Sequence, residues 1–405
     1  MTMPDNQHPL TILIAADTYP PHVNGAAMFG YRLAKGMKAR GHDVHVLACR
    51  PDTGGSYSEF CEEGTVHRIR SHSVPTHEYF RITFPWEIKK EISLLFDRIK
   101  PDVVHIQSHY MIGEHVLYEA LKRGIRVVAT NHFMPENLNP FLPFPQWFKN
   151  IVGRISWKDM GKVMGQADVV TTPTPLAAQA MHEHAFLRKV LPLSNGIDSA
   201  AYELKPGEEL VRHASPTALF VGRLAEEKHI DVLIDAVAKT PKELDVHLEI
   251  VGGGEVRPAL EAQVARLGLQ DRVKFLGLAS DADLRKAYQA ADLFCMPGTA
   301  ELQSLVTLEA MSASTPVLLA DAMALPHLVH DGENGYLFTP NDSDDLAAKM
   351  VRVLSLPADE LAAMGKASRG MVESHSLERT LRCFEDLYRG ASTTTSLSDP
   401  GHYYC

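Results

Sequence analysis

The stretch TALFVGRLAEEKHIDVLIDAVA (217–238) decides the fold. Its first five residues, 217–221, are apolar or β-branched without interruption, the pattern of a strand covered on both faces of a parallel sheet. A short loop with Arg223 and Lys228 follows, and a helical pattern runs over 230–238. The same strand–loop–helix unit continues downstream. Strands read at 246–251, 273–276, 292–295 and 316–320, with helices at 256–267 and 281–290. Upstream, strands read at 11–16, 44–49, 102–106, 126–130 and 168–172, and a helix over 26–40 is closed by Gly41. Continuous apolar strands separated by helices predict parallel sheets with right-handed crossovers, an α/β class.

The series runs twice. The break lies at 195–216, where SNGID (194–198) leads towards the polar stretch LKPGEELVRHASP (204–216). We read two doubly wound, Rossmann-like domains, 1–197 and 198–370, facing each other across an interdomain cleft. A C-terminal helix over 371–390 crosses back to the first domain. Ligands of such sheets bind at the carboxyl ends of the strands, and a cleft between two such domains is the default site. The tail 391–405 is polar and rich in Ser and Thr and reads as disordered.

The 405 residues include 45% apolar and 22% charged side chains, ordinary for globular proteins. The net charge of −10 argues against a general nucleic-acid binder. The five cysteines, at 49, 61, 295, 383 and 405, form no CxxC pair and no readable zinc site. The N-terminus MTMPDNQHPL lacks the features of a signal peptide, and no stretch is long and apolar enough for a membrane span. The expected location is cytoplasmic.

Five elements at strand ends carry chemistry, each with a plain structural reading beside it. Asn24-Gly25 opens the first helix; it is an anion-facing helix start or a turn. Arg223 and Lys228 form a diphosphate clamp or a solvated loop. The cluster 252–254, with Gly253 at its centre, allows close approach of a ligand or is a flexible turn. GTAELQSLVTLEAM (298–311) places Glu301 before a helix starting near Ser304. The N–H groups of Gln303, Ser304 and Leu305 then face an anion, with Glu309 inside the helix; otherwise Glu301 is an N-terminal acid favouring the dipole and Glu309 an ordinary exposed residue. His132 ends the strand in VVATNHF (127–133) and bonds a sugar hydroxyl or is structural. His105 and His109 end another strand. No GxGxxG occurs in the first strand–helix turn, which removes the main support for a dinucleotide-dependent oxidoreductase.

Taken together in this order, the elements resemble the family 4 retaining glycosyltransferases of GT-B fold. The carrying residues are VNG (23–25), TNH (130–132), SNGID (194–198), VGRLAEEK (221–228), VGGG (251–254) and Glu301/Glu309 followed by EAM (309–311). DGENGYLF (331–338) and NDSDDLA (341–347) fit the closing segment, and the resemblance covers roughly residues 10–390.

The resemblance implies transfer of a hexose-type sugar from a nucleotide-diphosphate donor, UDP- or GDP-linked, to a hydroxyl acceptor. Retention at the anomeric carbon is implied, with no metal and no other cofactor. Carried over by residue, Arg223 and Lys228 hold the diphosphate, Glu309 the ribose and Glu301 the donor sugar. Gly25 lies beside the diphosphate and His132 beside the transferred sugar. Gly253, Gln303, Ser304 and Leu305 complete the donor-binding set, and His109 and Tyr110 contact the acceptor. Leu302-Gln303-Ser304 replaces the commoner Gly-Phe-Gly, and His229 and Ser314 stand where Gly is usual. These changes bear on which sugar is moved. A GT-B-fold epimerase or hydrolase, or a non-catalytic nucleotide-sugar-binding protein, are the alternative classes; intact Arg223, Lys228, Glu301 and Glu309 oppose the last.

The segment 138–162 interleaves Phe141, Phe144, Trp147, Phe148 and Trp157 with Lys149, Arg154, Lys158 and Lys162 against the single acid Asp159. Such a helix packs its aromatics on the first-domain core or, in the alternative reading, suits an anionic membrane surface as a peripheral contact at the inner face of the cell membrane. A lipid, an inositol or a glycan-type acceptor all fit.

Overall fold

The computed structural model describes residues 8–22, 24–74, 77–135, 145–205 and 207–391. Val23, Phe141, Phe144 and the tail from 392 therefore lie outside the described residues. Contacts divide the chain into two compact units, Met1–Asn195 with Arg379–Cys405, and Gly196–Glu378. The divisions fall at 195/196 and 378/379 rather than at 197/198 and 370/371. Residues 371–378 stay with the second unit because Val372 lies in its core and the chain knits there. Ile197 donates its N–H to His375 at 2.8 Å, and Leu377 donates to Ile197 at 3.0 Å.

The first unit is built from β1 (Thr11–Ala16), α1 (Gly25–Ala39), β2 (Asp43–Cys49), β3 (Tyr57–Cys61), β4 (Gly64–Ile69), β5 (His72–Val74), β6 (His77–Ile82), α2 (Pro85–Ile99), β7 (Val103–Ile106), α3 (Met111–Lys122), β8 (Arg126–Thr130), α4 (Gln146–Met164), β9 (Val169–Thr172), α5 (Pro175–Ala185) and β10 (Leu191–Pro192). Its eight-stranded sheet has the order β10-β9-β8-β7-β1-β2-β4-β3. Every pairing is parallel except the edge pair β3–β4. The central strands are buried along almost their whole length, which is why they read as unbroken apolar runs. Helix α1 starts where Asn24 accepts the N–H of Ala27 at 2.9 Å, a side-chain cap on a free helical donor.

The second unit holds β11 (Thr217–Val221), α6 (Ile230–Lys239), β12 (His247–Val251), α7 (Arg257–Leu267), β13 (Val273–Gly277), α8 (Asp281–Ala290), β14 (Leu293–Met296), α9 (Leu305–Ser312), β15 (Val317–Ala320), β16 (Gly335–Phe338), α10 (Ser343–Leu354) and α11 (Ala358–Val372). Its six strands run parallel in the order β13-β12-β11-β14-β15-β16. The order reverses direction between β11 and β14, and in the first unit between β1 and β7. Such switch points leave a crevice at the carboxyl ends of the strands.

The last helix, α12 (Leu377–Tyr388), carries the chain back. From Arg379 it packs on the first unit: Glu385 pairs with Arg40 at 2.9 Å, and Arg126 donates to the Leu387 carbonyl at 2.7 Å. Among the described residues no helix is long and apolar enough to cross a membrane.

Candidate active site

In the second unit three loops at strand ends are stitched into one surface. Leu224, after β11, donates its N–H to the Gly253 carbonyl, after β12, at 2.8 Å. Thr299, after β14, donates to the Glu227 carbonyl at 3.2 Å, and its hydroxyl meets His229 Nε2 at 2.9 Å. The approach needs glycine. A Cβ at Gly252 would sit 1.9 Å from the Gly222 carbonyl oxygen, and one at Gly254 would sit 2.2 Å from that of Leu224. Both residues adopt positive φ, where side chains are strained.

The charged residues meet on this surface. Lys228 Nζ pairs with Glu301 Oε1, and Arg223 Nη2 with Glu227 Oε1; Glu255 stands 3.8 Å from Arg223 Nη1. Each cation is thus held by an acid from its own unit. Lys228 and Glu301, 73 residues apart in sequence, meet on one surface with Arg223. Glu309 is not the ordinary exposed acid of its plain reading. It is only 7% exposed, and Oε2 accepts a bond from the buried Tyr288 hydroxyl at 2.9 Å.

Helix α9 begins after Gln303, with Ser304 at its N-cap and Leu305 as its first residue. No side chain caps it and no acid lies in its first turn. The Ser304 hydroxyl is taken by Thr307 Oγ1, at 2.7 Å. The first N–H groups of the helix therefore keep their donors and the positive end of the dipole for an anion. Among the described residues no three His, Cys, Asp or Glu side chains gather as a metal-ion site.

The first unit places its candidates separately, at the ends of β1, β7 and β8. Gly25 is the first residue of α1, with open space where a Cβ would be. His132 packs its ring 4.6 Å from Phe29, one turn further along α1. Burial pushes its imidazole down to about 3, and Nε2 has no hydrogen-bond partner. His109 stacks 3.8 Å from Tyr110; burial pushes it down to about 4, and both ring nitrogens lack partners. The Tyr110 hydroxyl is bonded to Ser156 Oγ at 2.7 Å, and burial raises it to about 12. His105 is structural: its nitrogens meet Tyr388 OH at 2.5 Å and Thr130 Oγ1 at 2.7 Å.

Sequence reasoning missed two neighbours here. Gln107 is buried with neither amide atom partnered. Asp17, at the end of β1, accepts from the Ile112 N–H at 3.1 Å and from Ser108 Oγ, and burial raises it to about 6. The available signal for both was position, a polar residue directly after a buried strand. Tyr288 gave none, because a helical Tyr announces no partner.

Residues 203–371 match the family Glycosyl transferases group 1, and residues 23–201 match Glycosyltransferase Family 4. The D-inositol 3-phosphate glycosyltransferase of Mycolicibacterium paratuberculosis is 30% identical over 311 residues, 72% of this chain and 67% of that one. The chain belongs to the family 4 glycosyltransferases. The transferase is also 24% identical over 402 residues to the alpha-monoglucosyldiacylglycerol synthase of Acholeplasma laidlawii, covering 94% of this chain and 96% of that one. In structure it resembles Anabaena HepE solved in complex with UDP, with a TM-score of 0.73 at 19% identity, covering 94% of this chain and 100% of that one. Sucrose-phosphate synthase from Thermosynechococcus elongatus gives 0.73 at 20% identity, covering 94% and 98%. The fold is therefore GT-B, and the chain is a glycosyltransferase that takes a nucleotide-sugar donor.

Proposed function

We propose that this transferase moves a hexose from a UDP- or GDP-sugar to a hydroxyl of a lipid, inositol or glycan-type acceptor, with retention at the anomeric carbon and without a metal ion. The observation that carries the reading is the stitched, charged surface of the second unit. Arg223, Lys228 and the uncapped start of α9 present positive charge that a metal would otherwise supply to a diphosphate.

In this reading the diphosphate replaces the acids now paired with Arg223 and Lys228. Gln303, Ser304 and Leu305 give N–H groups to the distal phosphate, and Gly253 lets the backbone come close to the nucleotide. Glu309, held by Tyr288, accepts from the ribose hydroxyls. Glu301, released from Lys228, accepts from hydroxyls of the donor sugar. As the bond between the anomeric carbon and the diphosphate oxygen breaks, charge builds on that oxygen, and the clamp stabilises it. The acceptor oxygen bonds the anomeric carbon on the same face, and its proton passes to the leaving phosphate oxygen. His132, neutral by burial, exchanges a hydrogen bond with a sugar hydroxyl through Nε2, beside Gly25. His109 and Tyr110 serve the acceptor.

The test is transfer from UDP-glucose and GDP-mannose to lipid, inositol and oligosaccharide acceptors in EDTA, with the product read by proton NMR. A glycoside that keeps the donor's anomeric configuration, formed undiminished in EDTA, is expected. An inverted product, or transfer only when a divalent ion is restored, overturns the reading. Nucleotide released with no glycoside points instead to a hydrolase or epimerase.

A further inference from the structure

Helix α4 has two faces of different character. The inner face carries Trp157, Met160, Val163 and Met164, all buried. It packs tightly on α5: a Cβ at Gly161 would lie 2.1 Å from the Ala185 carbonyl oxygen, and the Trp157 ring is 5.4 Å from that of His184. The core reading of the aromatic segment thus holds for Trp157.

It does not hold for the outer face. Trp147, Ile151 and Ile155 recur every fourth residue and are 64%, 44% and 64% exposed. At 3.6 residues per turn they span about a quarter of the helix circumference. Arg154, Lys158 and Lys162, all exposed, fall within or beside the same sector. Among the described residues no carboxylate pairs with these three cations. The sector lies opposite the buried face, where a surface helix ordinarily shows only polar side chains.

Apolar side chains threaded through cations, in a chain of net charge −10, match a surface that is anionic outside and apolar beneath. A second copy is a poor occupant, because a two-fold contact over this stripe sets the three cations against themselves. We propose that α4 docks the protein on a bilayer containing anionic lipids. Trp147, Ile151 and Ile155 enter the boundary between headgroups and acyl chains, and Arg154, Lys158 and Lys162 lie on the lipid phosphates. The inference rests on the stripe alone and holds whichever sugar is moved.

Full-length protein is spun with phosphatidylcholine vesicles that contain or lack phosphatidylglycerol. It sediments with the anionic vesicles and stays in solution with the neutral ones. The triple variant Arg154→Gln, Lys158→Gln, Lys162→Gln lowers partitioning about a hundredfold, roughly fivefold per cation. The double variant Ile151→Ser, Ile155→Ser also releases the protein. Tryptophan emission shifts to the blue on anionic vesicles in the wild type and not in Trp147→Phe. All these side chains are exposed, so circular-dichroism melts of the variants match the wild type. Three results overturn the proposal: no sedimentation of wild type with anionic vesicles, equal sedimentation with neutral ones, or variants that sediment like wild type. A concentration-dependent dimer that the Ile151→Ser, Ile155→Ser variant dissolves, without vesicle binding, assigns the stripe to a second copy instead.

Discussion

The two units share the order of their core parallel strands about the switch point and differ in what they put at the strand ends. The second unit gathers charge: Arg223, Lys228, Glu227 and Glu301 pair on one stitched surface. The first unit gathers neutral polar groups. His109, His132 and Gln107 are buried or half-buried with unpartnered atoms, and His105 is saturated by Tyr388 and Thr130. One topology therefore offers two chemistries, and the loop residues choose between them. In the proposed reading a diphosphate displaces the acids from the paired cations. Unpartnered neutral donors and acceptors suit hydroxyl groups, which bring no charge to offset burial.

The largest expected consequence is acid sensitivity of the first unit. Burial holds His105, His109 and His132 at about 3, 4 and 3, below the ordinary 6.5, so each folded imidazole stays neutral at pH 5. The unfolded chain takes up those protons as pH falls through 6.5. Stability from these groups is whole above that value and is lost as pH falls towards 3–4. From pH 7 to pH 5 each histidine costs about 2 kcal/mol. Asp17, raised to about 6, works the other way and returns about 1 kcal/mol. In the second unit burial holds His327 at about 4. All three tryptophans, 86, 147 and 157, lie in the first unit, so tryptophan emission follows its urea unfolding alone. Its midpoint should drop sharply from pH 7 to pH 5, further than the remaining circular-dichroism transition, because His67 at about 4 adds to the first unit's set. Equal shifts would break the comparison.

The next effect is catalytic. Lys228→Ala is expected to lower kcat by about 10²–10³, the loss typical of one preorganised group at developing charge. His132→Ala should lower it only about tenfold, the worth of a neutral hydrogen bond. Both variants should melt within a few degrees of wild type. If His132→Ala loses as much as Lys228→Ala, the neutral set takes part in charge stabilisation and the division between the units fails.

Sequence reading reached the repeated strands and the charged loops because both leave local marks. Strands such as Ala218–Phe220 and Val103–Ile106 are buried on both faces, hence unbroken apolar runs. Arg223, Lys228, Glu301 and Glu309 stand at fixed offsets beside strand ends. The edge of the first unit was not legible. Strand β3 is half exposed, and β4 buries His67 and Arg68, which read as surface residues. Partners from other strands hold them there: His45 Nδ1 meets His67 Nε2 at 3.0 Å, and Arg68 Nε donates to Glu59 at 2.8 Å. Helices α2 and α3, on either side of β7, went unread. Partnerships such as Tyr288 with Glu309 exist only after folding, so no spacing reveals them.

The smallest effect concerns the two positions where the family usually has glycine. Ser314 and His229 both adopt left-handed backbone, with φ of 62° and 47°. A side chain there costs roughly 1–2 kcal/mol. Ser314 cannot relax, because α11 passes so close that a Cβ at Gly365 would lie 2.1 Å from the Ser314 carbonyl oxygen. Ser314→Gly should therefore stabilise the second unit by about 1 kcal/mol. His229→Gly should gain less, since it also loses the bond to Thr299 at 2.9 Å, worth about 1 kcal/mol. The readout is the same pair of urea transitions. The circular-dichroism phase of the second unit should move to higher urea in Ser314→Gly, and the tryptophan phase of the first unit should stay. Movement of both together would mean that the units unfold as one, and the acid sensitivity assigned to the first unit would then belong to the whole chain.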